Sequence, residues 1–353
     1  MPKKKLRVGV IGVGAIAQSQ HLPHWKELEG EGRVELIGVC DIVKDRADQV
    51  KERFGARKVF YNHKRMLAAD DYDIIDVCTQ NRPHCPITVA ALKAGANVLV
   101  EKPIAMSAKE AALMVNTAKS AKRTLMVAQH MRFEPAHEKL KEVVERGALG
   151  QIYTASTIWL RRRGIPGWGK FHIKKESLGG PLIDIGVHMM DLCMWLMGFP
   201  KVVAASGKVY RMFGDRKDLV NAEWGEPYPP KEYDVEDYAL ALVRLENGVT
   251  MRVETSWAAN IPEERSGLTI LGDKAGISTN PLGVFGYENK ALTSSRFDWL
   301  PKGGGHRGEV RHFTECIEKK VPVRVQPNES LQIQKIIDAI YESSKKNKEI
   351  PIK

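Results

Sequence analysis

A short β-rich run, Leu6-Arg7-Val8-Gly9-Val10-Ile11, meets Gly12-Val13-Gly14-Ala15-Ile16-Ala17 with no residue between them. A G-x-G-x-x-A segment directly after a strand demands a tight turn at Gly12, bare backbone at Gly14 and a small residue at Ala17, where a helix crosses the strand. That helix's N-terminus offers amide donors and partial positive charge, which suit a phosphate. The next strand, Val34 to Cys40, runs into Asp41, whose carboxylate can accept both hydroxyls of an adenosine ribose. Together these features predict a dinucleotide site that favours NAD, with NADP admitted if Asp41 turns away and Lys44 and Arg46 meet a 2′-phosphate.

Strand and helix signals then alternate through Asp73–Thr79, Pro86–Ala94, Asn97–Val100, Ser107–Ala121 and Thr124–Ala128. Such alternation predicts an α/β, doubly wound parallel sheet over residues 1–128. Ligands of these sheets lie at the carboxyl ends of strands. Two such ends are polar here, Thr79-Gln80-Asn81-Arg82-Pro83-His84 and Glu101-Lys102-Pro103. Lys102 is either a surface partner of Glu101 or a cation aimed at the nicotinamide ring.

From Gly150 the texture changes to longer strands of period two, clearest at Gln151–Leu160, Val202–Tyr210, Tyr238–Leu245 and Val249–Trp257. Asn247-Gly248 predicts a type I′ hairpin, and Gly272-Asp273-Lys274 marks another turn. Residues 129–353 are therefore expected to form an α+β domain with a large, mostly antiparallel open sheet. Amphipathic helices at Glu309–Lys319 and Glu329–Ser344 close the chain, with the helix at about 329–345 expected to pack back on the first domain. The acidic stretch Asn221–Asp237 reads as a surface loop. An open sheet face favours a homodimer or homotetramer through that sheet.

A chain of 353 residues exceeds what one core usually absorbs. Its 54 Lys+Arg against 43 Asp+Glu leave a net charge of +11, which raises the question of nucleic acid. The basic residues are dispersed among acids, apart from Lys3-Lys4-Lys5 and Arg161-Arg162-Arg163, and no nucleic-acid module accompanies them, so no such partner is expected. Five widely spaced cysteines without a C-x-x-C pair point to a reducing compartment with no disulfide framework or structural zinc. Three lysines before Leu6–Ala17 imitate a secretory leader, but Gly9, Gly12 and Gly14 suit a strand and turn instead. With no apolar stretch of membrane-spanning length, a cytoplasmic protein is expected.

Gly179-Gly180-Pro181 opens Leu182–Met197, which is almost wholly apolar except for Asp184, His188 and Asp191. At about 100° per residue these three fall in one helical stripe roughly 60° wide. Burying carboxylates beside an imidazole costs several kcal/mol unless they are satisfied, so the stripe is either a structural knot or a working site.

Taken together, the motifs resemble the Gfo/Idh/MocA oxidoreductases over essentially the whole chain. The carriers are Gly12–Ala17, His21-Leu22-Pro23, Cys78-Thr79-Gln80-Asn81 with His84, Ala94-Gly95-Ala96-Asn97-Val98, Glu101-Lys102-Pro103-Ile104-Ala105, Arg132-Phe133-Glu134-Pro135 and Gly179–His188. Two departures are Pro181, where a third glycine is common, and Gln80, where proline commonly follows the threonine.

The resemblance implies a Rossmann domain followed by a sheet domain, with Lys102, Asp184 and His188 as the catalytic set. Cofactor contacts are then expected from Gly12, Gly14, Ala15, Ile16, Ala17, Asp41, Ile42, Arg46, Thr79, Gln80, Asn81, His84, Glu101, Lys102 and Gln129. Substrate contacts are expected from Lys102, Arg132, Arg163, Trp168, Asp184, His188 and Asp191. The implied activity is hydride transfer between a secondary hydroxyl of a sugar, sugar derivative or inositol-like polyol and NAD(P). His188, whose ordinary pKa lies near neutrality, would be the acid/base, supported by Asp184, while Lys102 stabilises alkoxide character.

An NAD-dependent glycosidase that uses transient oxidation and a non-catalytic NAD sensor are the alternative readings. A metal in the stripe is set aside because Lys102 would repel it and the cofactor carries the redox chemistry. Arg161–Arg163 is either a solvated strand end or a site for an anionic substrate. Trp168 offers an apolar face either to sugar C–H groups or to the protein, and Trp257 and His306 are weaker candidates.

Overall fold

The computed structural model describes residues 5–219 and 228–353. Lys3, Lys4 and the first part of the loop expected at 221–237 lie outside them. The chain divides into two compact units, one of residues 1–133 with 303–331 and one of 134–302 with 332–353.

The first unit is built on a parallel sheet of β1 (Leu6–Ile11), β2 (Val34–Cys40), β3 (Lys58–Phe60), β4 (Ile74–Val77), β5 (Asn97–Glu101) and β6 (Leu125–Ala128), ordered β3-β2-β1-β4-β5-β6. Its inner strands are apolar on both faces because helices cover both; Val8, Val10, Ile74, Ile75, Val98 and Val100 are fully buried. Strand order reverses between β1 and β4, which opens a crevice at their carboxyl ends. The unit runs through Phe133. The segment that joins this unit from later in the chain is 303–331, which ends within the helix Pro327–Lys346. The reason is apolar: helix Gly305–Lys319 buries Val310 and Phe313 in the first core, and its Gly308 lies against Phe133.

The second unit carries β7 (Ile152–Leu160), β8 (Val202–Tyr210), β9 (Tyr238–Leu245), β10 (Thr250–Ser256), β11 (Arg265–Gly272), β12 (Ala275–Thr279), β13 (Leu282–Glu288), β14 (Ala291–Ser295) and β15 (Ile350–Pro351). Their order is β14-β13-β12-β11-β7-β10-β9-β8-β15, antiparallel throughout except for the β7/β10 pair. The β9/β10 hairpin differs from the expected type I′ turn. Only Gly248 is left-handed there, with φ 83°, and its N–H bonds Leu245 O at 3.1 Å. The loop Glu246-Asn247-Gly248 thus has three residues and ends on a left-handed glycine, so Asn247 avoids positive φ.

The apolar segment is helical as expected, but its first turn is not α. Leu182–Gly186 forms an i→i+5 turn that passes into an α-helix at Val187–Leu196. Such a turn holds more than 3.6 residues, so Asp184 departs from the single α-helical stripe expected for it.

The two glycines before it are required by packing. A Cβ on Gly180 would stand 1.9 Å from Glu236 O, and one on Gly179 would stand 1.8 Å from the Tyr341 hydroxyl. This closeness lets Glu236 cap the turn: its Oε1 accepts from Leu182 N–H at 3.2 Å and from the Tyr341 hydroxyl at 2.9 Å. Burial pushes the Glu236 carboxyl up, and hydrogen bonds from Gly180, Tyr341 and Leu182 oppose that push. Gly180→Ala must displace backbone rather than a side-chain tip, so a loss of about 1–3 kcal/mol is expected, read as a lower urea midpoint at unchanged slope.

Candidate active site

In the first unit the strand–turn–helix junction forms a phosphate cradle. Gly12 has φ 86°, and a Cβ there would meet Thr79 N at 2.7 Å and the Cys78 carbonyl carbon at 2.8 Å. At Gly14 a Cβ would meet nothing within 4 Å, so the backbone faces open space. Ala17 is fully buried where the following helix meets the sheet.

Asp41, at the end of β2, holds the cradle from the side. Its Oδ2 accepts Val13 N–H at 3.0 Å, its Oδ1 accepts Val43 N–H at 2.9 Å, and Arg46 Nη1 lies 3.4 Å from Oδ2. A carboxylate has about four acceptor positions, so with three taken one remains for a ribose hydroxyl. Ile42 beside it is 88% exposed, an apolar surface next to a ribose position. Glycine cradle, open space at Gly14 and terminal carboxylate fit a dinucleotide.

The polar strand ends of this unit divide into anchors and accessible groups. His84 is fully buried and bridges two loops, Nδ1 lying 2.7 Å from Pro103 O and Nε2 3.1 Å from Thr79 O; burial pushes its pKa down. Glu101 is buried, and its Oε2 accepts Lys102 N–H at 3.0 Å. Asn81 and Gln129 are buried at the ends of their strands, while Thr79, Gln80 and Lys102 are less enclosed. Arg132, expected near substrate, is wholly buried and pairs with Glu329 Oε2 at 2.5 Å. Its main-chain carbonyl accepts from Arg324 Nη1 at 2.9 Å, so Arg132 ties residues 303–331 to the rest of the unit.

In the second unit the i→i+5 turn and the helix after it place Asp184, His188 and Asp191, exposed by 9, 7 and 1% respectively. Asp184 Oδ2 accepts the indole N–H of Trp257 at 3.1 Å. The His188 ring lies 6.3 Å from that of Trp159, tilted by 42°. Arg161 is buried beside them, donates to Gly164 O at 3.2 Å and holds its guanidinium 5.7 Å from the Trp159 ring centre. Burial works against the Arg161 charge, and Asp184 and Glu264 offset this.

Of the arginine run, Arg161 thus joins the Asp184 neighbourhood. Arg163 instead bonds Ala259 O at 3.1 Å and Asn260 Oδ1 at 2.8 Å and packs over Phe213. Trp168 is partly exposed. Sequence reasoning had no role for Trp159, although its place on β7, in phase with inward Ala155 and Thr157, was a readable signal. Glu236 had no signal, since it lies in an acidic stretch without periodicity.

Residues 6–129 match the model of an oxidoreductase family with an NAD-binding Rossmann fold, and residues 141–353 match the α/β C-terminal domain of the same family. D-glucoside 3-dehydrogenase of Escherichia coli is 33% identical over 345 residues, covering 98% of this chain and 97% of that one. Myo-inositol 2-dehydrogenase of Thermotoga maritima is 27% identical over 71% of this chain and 68% of its own length. A solved structure of levoglucosan dehydrogenase with NADH and levoglucosan superposes with a TM-score of 0.85 at 22% identity, over 99% of this chain and 100% of that chain, and so shares the fold. With both domain models matched in order across nearly the whole chain, the protein belongs to the Gfo/Idh/MocA family of oxidoreductases.

Proposed function

We propose that this protein is an NAD-dependent dehydrogenase that oxidises a secondary ring hydroxyl of a hexose glycoside or a related cyclic polyol. The observation that carries the reading is the placement of Asp184 and His188 at the start of one buried helix, in a chain whose Gly12/Gly14 cradle ends on Asp41. A relative that is a D-glucoside 3-dehydrogenase, aligned nearly end to end, directs the substrate class toward glucosides.

NAD, when bound, accepts the hydride from the carbinol carbon. His188 takes the hydroxyl proton on its imidazole, and the product is a ketone plus a released proton. Asp184 supports the charge this creates on the ring, with Trp257 fixing the Asp184 carboxylate from behind. Lys102 donates to the same oxygen as alkoxide character develops. Trp159 and the Arg161 guanidinium over it form an apolar and cationic wall beside His188, suited to the C–H face and hydroxyls of a sugar.

Asp41 sets the preference for NAD, because a 2′-phosphate would meet a carboxylate already engaged by Val13 and Val43 amides. The second unit's sheet is the proposed oligomer face. Along β9, Ala239, Ala241 and Val243 are buried, while Leu240 and Leu242 are 42% and 38% exposed on the opposite side.

Incubation with NAD and p-nitrophenyl or methyl glucosides should accumulate NADH; release of p-nitrophenol without NADH would identify a glycosidase instead. Lys102→Ala and His188→Ala should each slow NADH formation by at least about 10²-fold while NAD titrates normally. Substantial turnover by either would sink these roles. Asp41→Ser should weaken NAD about tenfold or more and narrow the NAD/NADP ratio, as seen by calorimetry with both cofactors. Light scattering should report a dimer or tetramer, and Leu240→Glu/Leu242→Glu should lower the mass; an unchanged mass would place the interface elsewhere.

A further inference from the structure

His21 has no part in the chemistry proposed above, yet it is the centre of a buried charge cluster in the first unit. It lies on a second i→i+5 turn, Ala17–His21, immediately beyond the phosphate cradle, and is fully buried. Its Nδ1 is 2.9 Å from Asp76 Oδ2 and its Nε2 is 2.8 Å from Glu101 Oε1. Ionised carboxylates only accept, so a ring engaged this way on both nitrogens donates from both and is an imidazolium. His84 shows that the neighbours' charge matters: its two partners are neutral carbonyls, and burial pushes its pKa down, whereas His21 faces two carboxylates.

Both carboxylates are themselves fixed. Asp76 Oδ2 also accepts from Trp25 Nε1 at 2.7 Å, and Oδ1 from Cys78 Sγ at 3.4 Å. Glu101 uses its second oxygen for the Lys102 amide at 3.0 Å. The other titratable groups facing His21 are His24, on the helix that follows, and groups from the return segment and the end of β6. The His306 ring centre is 5.8 Å away, stacked on His130 at 4.1 Å and bonded through Nδ1 to Glu309 Oε1 at 2.8 Å.

Four ligand atoms, from His21, Glu101, His306 and Glu309, lie within 4.8 Å of one another, which invites a metal. His21 argues against one. With carboxylates on both of its nitrogens it offers no lone pair, and 2.8 Å to Glu101 is an N–H···O distance.

We propose that His21 is a positioning residue for Lys102: its imidazolium holds the Glu101 carboxylate, and Glu101 pins the Lys102 backbone at the end of β5. The ammonium then reaches the reacting hydroxyl from a fixed base. This rests on the reading of Lys102 as the group that stabilises the alkoxide. Without the cation, Asp76 and Glu101 would be buried like charges, and one would have to protonate or move, releasing the Lys102 amide.

The clamp spans the neutral range. Burial opposes the charge on His21, but Asp76 leads the groups that raise its pKa well above the ordinary 6.5, so its stabilising share is complete below 6.5 and is lost only as pH rises through the raised value. Burial likewise opposes the charge on Glu101, but the hydrogen bond from His21 leads those that hold it at about 2; its share is complete above the ordinary 4.5 and is lost as pH falls through about 2.

The test combines kinetics with NMR. His21→Ala should lower kcat by about 10–100-fold while NAD affinity stays within about threefold, and His21→Gln, whose amide can still donate to Glu101, should recover part of the loss. In a Lys102→Ala background, His21→Ala should cost less than about threefold, because the group it acts through is gone. An unchanged kcat for His21→Ala, or equal losses in both backgrounds, would overturn the proposal. Independently of turnover, ¹⁵N-histidine NMR should show at pH 8 a doubly protonated ring that His21→Gln removes; a neutral ring there would overturn the clamp. Full activity of Lys102→Ala would strike the Lys102 reading instead, while the NMR signal still judges the clamp.

Discussion

Each unit of this protein places its functional turn by letting backbone touch backbone. In the first, Gly12 lies so close to Thr79 N and the Cys78 carbonyl that no Cβ fits between them. In the second, Gly180 stands against Glu236 O at a distance that no side chain tolerates. The energetic logic is the same in both. The residue sacrificed has no side chain to pack, and in return the chain that follows starts at a position set by covalent geometry rather than by a mobile rotamer.

Close approach also brings buried carboxylates to the starts of the helical turns. Asp41 takes the Val13 amide of the cradle, and Glu236 takes the Leu182 amide of the site turn. A buried carboxylate is costly unless its acceptors are filled, and here backbone amides, Trp indoles, a tyrosine and a histidine fill them. Asp184 receives Trp257, Asp76 receives Trp25 and His21, and Glu101 receives His21 and the Lys102 amide. In each unit the groups proposed for chemistry thus sit among buried carboxylates whose acceptors are filled, which limits how far they can drift.

Much of this was legible from residue order. The glycine spacing after β1 and the strand–helix alternation implied a parallel sheet, because few other folds need bare backbone after a short apolar strand. Period-two alternation located β7 to β10 within a residue or two. The stripe Asp184, His188 and Asp191 stood out because three polar groups interrupted an otherwise apolar helix. Less visible was the i→i+5 turn under Asp184. Periodicity arguments assume one constant angle per residue, and a change of hydrogen-bond pattern within a single turn leaves no trace in composition. The return of residues 303–331 to the first unit was hidden for a different reason, since an amphipathic helix shows that it has an apolar face but not which core receives it.

Sequence by itself therefore determined the fold class, the dinucleotide cradle and the polar residues singled out for chemistry, since all of these follow from local spacing and side-chain type. Only the tertiary structure decided which of the polar residues are anchors. Arg132 and His84, expected from the chain as ligand contacts, are wholly buried, one on a carboxylate and the other between two carbonyls. His21 shows in the chain only as the start of the motif His21-Leu22-Pro23, but it lies between Asp76 and Glu101, 55 and 80 residues away in the chain. The physical reason is that charge states and hydrogen-bond partners depend on distances through space, and those are set when strands far apart in the chain become neighbours in a sheet.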